Sequence, residues 1–270
     1  ISISSISQFS DTALSERIHK QGKKNISCTR CTFINCSNKL VDNGGAFLTV
    51  GCNSTLLYCV FCNNYAKFSG SVEIQDAPIG IVNFTSIKNS HAERFGAMML
   101  DGHEPENIGS IHFSNFSSNN ADKWIGGVRL QHNGGSITYT IFYNNSAVHY
   151  GALWDYSHKP SKRDMHHLFF LNNTAHEIGA GFTSFHLLYR GTLTHSVFYG
   201  NRNLNSFDGR SVLVHSDSSE LNVGNCCFEG EERVEMTTYF DSSKITDLGE
   251  NSFNGTKLNL DEIQDVIHNI

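Results

Sequence analysis

The chain has 270 residues and a formal net charge of -6, from 20 basic and 26 acidic residues. Hydrophobic residues make up 39% and charged residues only 17%, while 27 Asn and 23 Gly accompany just 3 Pro. This composition excludes an all-helical bundle, because Asn and Gly favour tight turns over long helices, and the lack of a basic block excludes nucleic acid as a partner.

The first 24 residues precede the repeat and are predicted to form an N-terminal cap or a preceding coil. Phe9, Leu14 and Ile18 follow a weak helical spacing that ends at Gln21-Gly22, which is typical of a short capping helix. The chain opens with neither a start Met nor a charged leader, and it has no run of roughly 18 apolar residues. We therefore expect no transmembrane segment in this chain, and we expect it to be part of a larger protein or assembly.

A repeat begins at residue 25 and continues to residue 255. Its anchor is a Phe, once an Ile, followed within three residues by Asn or Gly, and successive anchors are 25 to 30 residues apart. The nine anchors are Phe33, Phe61, Ile87, Phe116, Phe142, Phe170, Phe198, Phe228 and Phe253. Self-similarity at this period is the signature of a solenoid, in which each coil stacks on the one before it.

Within each repeat, the same slots hold the same kinds of residue. Asn or a small residue stands two positions after the anchor, as in Asn35, Asn63 and Asn144, and a Gly step follows further on, as in Gly70 and Gly96. Both residue types tolerate the left-handed backbone of a tight corner. Apolar side chains at every second position between the corners predict short strands with one face turned inward.

These patterns predict an all-β fold, a right-handed parallel β-helix of about nine coils over residues 25–255. Successive coils would lie roughly 4.8 Å apart, the separation of parallel strands. Residues 256–270 place apolar side chains at helical spacing and are predicted to form a C-terminal capping helix. Caps are expected because an open end would expose strand edges and core Phe.

The repeat contains two short motifs of a known kind. Tetrapeptides that begin at Phe61, Phe116 and Phe142 resemble the Phe-x-x-Asn motif of polymorphic membrane proteins, and Gly-Gly-Ala-Phe-Leu at 44–48 is similar to that family's Gly-Gly-Ala-apolar motif. The resemblance covers about residues 27–255. It implies a parallel β-helix that is displayed on a cell surface and serves in adhesion or as a repetitive ectodomain.

Eight cysteines include two C-x-x-C pairs, Cys28/Cys31 and Cys59/Cys62. Such pairs occur in zinc sites, and cysteines on stacked coils can also lie within reach of a disulfide. Cys31 and Cys59 stand two positions before the anchor, where other repeats have Thr or Ser, which favours small side chains that pack inward. The sequence leaves all three interpretations open.

Asn-x-Ser/Thr sequons predict N-glycosylation if the chain follows a eukaryotic secretory route. They lie at Asn25, Asn35, Asn53, Asn83, Asn115, Asn144, Asn172 and Asn254. Asn35, Asn144 and Asn172 also occupy the corner slot, where Asn is explained as a turn former.

The strand after the Gly step is predicted to present an outer face for binding. Alternation from the inward residues places on that face Asp101, Arg129, Trp154, Tyr156 and Phe182. Aromatic side chains on an exposed strand can stack on sugar rings or anchor a protein partner. The alternative is that loops or neighbouring domains cover them.

A histidine recurs six or seven residues after the Gly step in five consecutive coils, at His103, His132, His158, His186 and His215. Identical slots on successive coils lie roughly 5 Å apart, so neighbouring imidazoles could hold zinc or copper, or could titrate together. Independent exposed histidines are the alternative. A second cluster, His166, His167 and His195, is interpreted as packing beside the core.

Parallel β-helices also include enzymes that cut polysaccharides, and these need clustered carboxylates on neighbouring coils. Here the acidic residues after the Gly step are scattered as Glu73, Asp101 and Asp155. We therefore expect a non-enzymatic structural or adhesion module, extracellular or on a cell surface, that presents its lateral face to a protein or glycan and needs no cofactor. The alternatives are a glycan-cleaving lyase or hydrolase and an intracellular scaffold.

Overall fold

The chain folds into a parallel β-solenoid of about seven turns with essentially no helix. This computed structural model describes residues 2–4, 8–9, 25–38, 43–102, 104, 106–131, 134–157, 161–186, 189–205, 210–214, 219–230, 235–238 and 242–253. Equivalent strands of neighbouring turns pair in parallel, as in Ile79–Asn83 against Ile108–His112. The all-β parallel solenoid predicted from the period of the repeat is confirmed.

The strands form three sheets that run along the solenoid. Sheet A contains β1 (Ser2–Ser4), β2 (Gln8–Phe9), β3 (Asn25–Thr29), β4 (Thr32–Ile34), β7 (Asn53–Leu57), β8 (Val60–Cys62), β11 (Ile79–Asn83), β12 (Ser86–Lys88), β15 (Ile108–His112), β16 (Asn115–Ser117), β19 (Ser136–Tyr143), β22 (Ser161–Leu171), β25 (Tyr189–Thr194), β26 (Val197–Tyr199), β29 (Glu220–Gly224), β30 (Cys227–Phe228) and β32 (Lys244–Gly249). Sheet B contains β6 (Phe47–Val50), β10 (Val72–Gln75), β14 (Met98–Asp101), β18 (Val128–Gln131), β21 (Leu153–Ser157), β24 (Phe182–His186), β28 (Val212–Val214) and β31 (Met236–Thr238). Sheet C contains the two-residue strands β5 (Ser37–Asn38), β9 (Tyr65–Ala66), β13 (His91–Ala92), β17 (Asn120–Ala121), β20 (Ser146–Ala147), β23 (Thr174–Ala175) and β27 (Arg202–Asn203).

One turn passes through sheets A, C and B in that order. A left-handed residue bends sheet A within each turn, as at Phe113 (φ 47°), and a second one forms the corner to sheet C, as at Asn144 (φ 52°). The corner slot of the sequence repeat therefore has the left-handed backbone that its Asn residues predict. Its members with positive φ include Asn35, Asn63, Asn89, Ser118, Asn144, Asn172 and Gly200.

The number of turns differs from the sequence-based expectation, and the described N-terminal strands pair as a preceding coil would, one of the two alternatives for residues 1–24. About seven turns form instead of nine coils, because a complete turn needs all three sheets and sheet C has seven strands among the described residues. Phe9, expected in a helical cap, lies in β2 and pairs with Phe33, while β1 pairs with β3. The helix expected at 256–270 lies outside the described residues.

The core is a stack of anchor residues inside the solenoid. The ring centroids of Phe142 and Phe170 are 4.9 Å apart, those of Phe170 and Phe198 are 4.7 Å apart, and all three rings are fully buried. Because one turn repeats at the separation of parallel strands, each ring lies face to face with the ring of the next turn. The repeated Phe thus fills the same interior slot in turn after turn.

A ladder of buried asparagines explains the last residue of the Phe-x-x-Asn motif. The amide of Asn145 donates to the carbonyl of Phe116 at 2.8 Å, and its Oδ1 accepts from the backbone N of Asn119 at 3.1 Å. Asn173 repeats both contacts one turn later, on Phe142 and Asn145. The side chain therefore satisfies backbone groups at a corner where the sheet ladder is interrupted.

The Gly step has a different cause from the one that the sequence suggested. A Cβ on Gly70 would lie 2.1 Å from the carbonyl oxygen of Gly96, and one on Gly96 would lie 2.3 Å from that of Gly126. Consecutive turns approach so closely at this point that a side chain would collide with the backbone of the next turn. Only Gly44 and Gly179 of these steps have a positive φ among the described residues.

Candidate functional site

A groove of about 660 Å³ lies on the outer face of sheet B, across β10, β14, β18 and β21. Its lining is half aromatic or apolar and half polar, and consists of Asn43, Phe68, Glu73, Gln75, Arg94, Phe95, Met99, Asp101, Trp124, Arg129, Gln131, Tyr150, Trp154 and Tyr156. A concave site with an apolar lining and a few convergent polar groups is typical of ligand binding.

The strand register places the groove residues in two outward columns. Glu73 pairs with Met99, and Met99 pairs in turn with Arg129, which is next to Trp154. The second column stands two positions further along each strand and holds Gln75, Asp101, Gln131 and Tyr156. Alternate residues of the same strands, such as Leu130, point into the core.

Aromatic side chains form one wall of the groove. Trp154 stacks on Tyr150 at 4.8 Å between ring centroids and on Trp124 at 6.0 Å, and it contacts Tyr156 at 5.1 Å. Tyr150 and Trp124 come from the segment before the Gly step, which folds beside the strand. Trp154 is only 8% exposed beneath these neighbours, whereas Trp124 is 36% exposed.

Arg129 occupies the middle of the aromatic wall. Its guanidinium lies 5.2 Å from the ring centroids of Phe95 and Tyr156 and 5.5 Å from that of Trp154, which is the range of cation–π attraction. Its Nη1 is 3.0 Å from the sulfur of Met99 and 4.0 Å from Oδ2 of Asp101. Burial lowers the pKa of Arg129, and the charge of Asp101 opposes that change.

Two donors of the groove are buried without a hydrogen-bond partner among the described residues, Nε of Arg129 and the indole Nε1 of Trp154. A buried donor without a partner costs free energy. The packing of the aromatic wall around these two donors therefore has a polar cost.

Two carboxylates line the groove on neighbouring turns. Glu73 is 1% exposed, and its Oε2 accepts a hydrogen bond from the backbone N of Gly44 at 3.2 Å. Burial raises the pKa of Glu73 to about 7, against the opposing effect of hydrogen bonds and of the Arg129 charge. Asp101 lies beside Arg129, so the groove contains one carboxyl group that titrates near neutral pH and a second one next to a cation.

Burial also raises the pKa of the tyrosines in the wall. The pKa of Tyr150 rises to about 12, and that of Tyr156 also rises because burial disfavours the phenolate. Both hydroxyl groups are therefore neutral donors over the whole physiological range.

The structure brings four of the five predicted binding residues together in this groove. Asp101, Arg129, Trp154 and Tyr156 all line it, but Phe182 is fully buried in the core. The expected position of Phe182 was one residue out of register, because Phe182 pairs with inward-facing Leu153. The backbone that lies against Gly151 of the preceding turn belongs to Ala180, so the close approach in that turn is made by Ala180 and Gly181 and not by Gly179 and Ala180.

Asp155, the third acidic residue after the Gly steps, points inward like Leu153 two positions before it. It forms an ion pair with Arg163, with Nε 2.9 Å from Oδ2, and both side chains are 0% exposed. The scattered carboxylates thus separate into two that line the groove, Glu73 and Asp101, and one that belongs to the interior.

The predicted histidine column is mostly beyond the described part of the chain. His103, His132, His158 and His215 lie outside the described residues, and only the backbone of His186 is placed. It pairs with Ser157, so it does not align with the slot of His158. Among the described residues, no group of three or more His, Cys, Asp or Glu is arranged to hold a metal ion.

The sequons differ in exposure. The side chains of Asn25, Asn35, Asn144 and Asn172 are exposed, and those of Asn53, Asn83 and Asn115 are partly buried. Asn254 lies outside the described residues. Glycosylation of any of these sites stays a prediction.

Eight free cysteines occur, six of them buried. Cys31 and Cys59 pack inward, as their slot suggested, and the sulfur of Cys59 lies 3.7 Å from that of Cys28 on the preceding turn.

A second aromatic column, not noticed in the sequence, runs along the bend of sheet A. It consists of Tyr58, Phe84, Phe113, Tyr139, His167 and His195, each with a left-handed backbone. Phe84 and Phe113 stack at 4.9 Å, as do Phe113 and Tyr139. Because each ring covers the faces of its neighbours, only ring edges face outward, and the column is poorly suited to stacking against a sugar.

Sequence reasoning also missed Trp124, Tyr150 and Phe95 of the groove. All three stand one or two residues before a Gly step, as Phe68 does, and that recurrence could have revealed them.

The described part of the chain contains no helix of the length and apolar character that a membrane span requires. Searches of protein-family models, curated proteins and solved structures gave no match to this chain.

Proposed function

We propose that this protein is a non-enzymatic adhesion or structural module whose sheet B groove binds a glycan. The observation that carries the proposal is the exposed ring of Trp124, which stacks on the buried Trp154 near Arg129, beside the polar groups of Gln131 and Asp101. Ring faces favour the apolar faces of sugars, while amide, carboxylate and guanidinium groups can bind sugar hydroxyls.

The dimensions of the groove support an oligosaccharide. Four strands, β10, β14, β18 and β21, contribute to it, and three intervals of roughly 4.8 Å give a length of roughly 15 Å along the solenoid. Each turn presents the same two outward slots but fills them with different side chains, as in the column of Glu73, Met99, Arg129 and Trp154, so each unit of a bound chain would meet a different group.

The proposed location is extracellular or on a cell surface. The similarity of the repeat to polymorphic membrane proteins supports it, as do exposed sequons such as Asn144 and Asn172. Surface display would leave the lateral face of sheet B accessible to a glycan of the environment or of another cell.

Titration calorimetry against a panel of neutral and acidic oligosaccharides tests the proposal. We expect Trp124→Ala to weaken binding of the best ligand at least tenfold, because it removes an exposed stacking surface. Tyr143→Ala is the matched control, since Tyr143 is 37% exposed, close to the 36% of Trp124, and lies outside the groove. Absence of binding across the panel, or an equal loss in the control, would contradict a glycan site here.

A second function, glycan cleavage, is favoured by the carboxylates of the groove. Glu73, with a pKa raised to about 7, could act as a proton donor, and Asp101 beside Arg129 supplies the second carboxyl group that glycosidases need. Depolymerisation of a panel glycan that disappears in Glu73→Gln would establish this alternative. Binding without depolymerisation supports the non-enzymatic module.

A further inference from the structure

Two consecutive histidines on sheet A point their ring nitrogens at each other. The Nδ1 atoms of His166 and His167 are 3.0 Å apart. Neighbouring residues of a regular strand point to opposite sides, but His167 has a φ of 56°, so the bend of the backbone turns both rings to the same side. Both side chains are half-buried and reach the outer surface of the solenoid.

The ring of His167 is held between two neighbours of the second aromatic column. Tyr139 stacks on one side at 4.6 Å between centroids, and His195 stacks on the other at 5.1 Å. Tyr139 also meets the ring of His166 edge to face at 5.6 Å. The pair is therefore pre-organised, and little ordering is left for a ligand to impose.

We propose that the Nδ1 atoms of His166 and His167 chelate one divalent transition-metal ion, which replaces the proton of the Nδ1–H···Nδ1 hydrogen bond while both rings carry their proton on Nε2, and water completes the coordination shell. For metal–nitrogen bonds of roughly 2.0–2.1 Å, donors separated by 3.0 Å subtend an angle of roughly 91–97° at the metal. That angle suits the tetragonal geometry of Cu²⁺ or Ni²⁺ better than the tetrahedral geometry of Zn²⁺. The site is separate from the glycan groove, which lies on sheet B.

The surroundings of His167 favour its neutral form. Burial lowers the pKa of His167, and the nearby His166 and His195 lower it further. Burial likewise lowers the pKa of His112, two turns away in the same strand position as His166. Neutral imidazoles are the form that binds metals.

Neighbouring turns supply conservative substitutions for the test. Thr138 and Thr194 flank His166 in the register of sheet A, so His166→Thr copies a residue that this slot accepts. Asn225 has the same left-handed backbone in the bend slot as His167, so His167→Asn is compatible with that φ. Exposed His176, on a different part of the turn, provides the control His176→Asn.

Calorimetric titration with Cu²⁺ and Ni²⁺ at neutral pH measures the site against the background of the chain's 14 His. We expect His166→Thr and His167→Asn each to weaken the tightest binding event at least tenfold, while His176→Asn changes it less than twofold. Electron paramagnetic resonance of bound Cu²⁺ should show two coupled nitrogens in the native chain and fewer in either variant. Unchanged binding in His166→Thr, with a native circular dichroism spectrum, would overturn the proposal even if His167→Asn failed to fold.

Discussion

Bulky side chains occupy backbone positions that most residues avoid along the bend of sheet A. Phe84 and Phe113 have φ values of 46° and 47°, and a left-handed conformation costs an L-residue roughly 1–2 kcal/mol. Stacking along the column offsets this cost, since each ring contacts the ring above and the ring below at about 4.9 Å. The aromatic column therefore stabilises the fold, although the backbone of each of its residues is strained.

We expect Phe113→Gly to be more stable than Phe113→Ala by about 1 kcal/mol. Both variants lose the ring, but only Gly removes the conformational strain of the left-handed backbone. Urea unfolding of the two variants measures the difference. At Ser117, which has an ordinary φ in β16, the order should reverse, because Gly in a strand is usually worse than Ala by about 0.5–1 kcal/mol. A Phe113→Ala variant as stable as Phe113→Gly would contradict the left-handed assignment.

Burial of Glu73 links stability to pH. The unfolded chain releases this proton near the ordinary pKa of 4.5, whereas the folded protein keeps it until about pH 7. The stability that the protonated carboxyl contributes is therefore present at pH 4 and is lost as the pH rises from 4.5 to 7. The difference between the two pKa values corresponds to about 3 kcal/mol.

Glu73→Gln should remove this dependence, because its neutral amide can still accept from Gly44. Relative to the native chain, we expect the variant to gain up to about 3 kcal/mol between pH 4 and pH 8. Chemical unfolding at both pH values provides the measurement. Equal pH dependence in the two proteins would show that Glu73 ionises normally in the fold.

The corner between sheets A and C depends on two adjacent asparagines with different tasks. Asn144 is exposed and adopts the left-handed φ of the corner, whereas Asn145 is fully buried and bonds to two neighbouring turns. One Asn thus shapes the backbone, and the other satisfies the polar groups that the corner leaves unpaired.

Replacing the two asparagines separately should give unequal results. Asn145→Ala leaves the backbone N of Asn119 and the carbonyl of Phe116 without their partner, and we expect a loss of about 3–4 kcal/mol. Asn144→Gly keeps a residue that accepts positive φ and should change stability by less than about 0.5 kcal/mol. Thermal or urea unfolding compares them, and similar losses at both positions would refute the ladder as a source of stability.

The interior of the turns could be predicted from the sequence, but the details of the outer face could not. Interior slots such as those of Phe142 and Phe170 accept few residue types, so the same residue type recurs in the sequence once per turn. Phe182 was misplaced because one additional residue before a strand reverses which side chains face outward. The pairing of His166 with His167 was not predictable either, since it depends on a single left-handed φ within β22.

A solenoid is stabilised by contacts between neighbouring turns, so a side chain that bonds to several turns contributes to the stability of all of them. Arg163 is such a contact, because its Nη1 donates to the carbonyl of Gly134 at 2.9 Å and to that of Gly109, 54 residues earlier, at 3.0 Å. The same side chain pairs with Asp155 of sheet B across the interior. One buried arginine thus joins two sheets and three turns of the molecule.

Loss of this arginine should destabilise the whole stack. Arg163→Met leaves the carboxylate of Asp155 buried without its cation, and we expect a loss of about 3–5 kcal/mol. Adding Asp155→Asn removes the uncompensated charge, so the double variant should regain about 1–2 kcal/mol although it has lost one more native side chain. Urea unfolding of the native chain, both single variants and the double variant forms a complete mutant cycle. Strictly additive losses would mean that the two charges do not interact, and that packing alone holds the sheets together at this level of the solenoid.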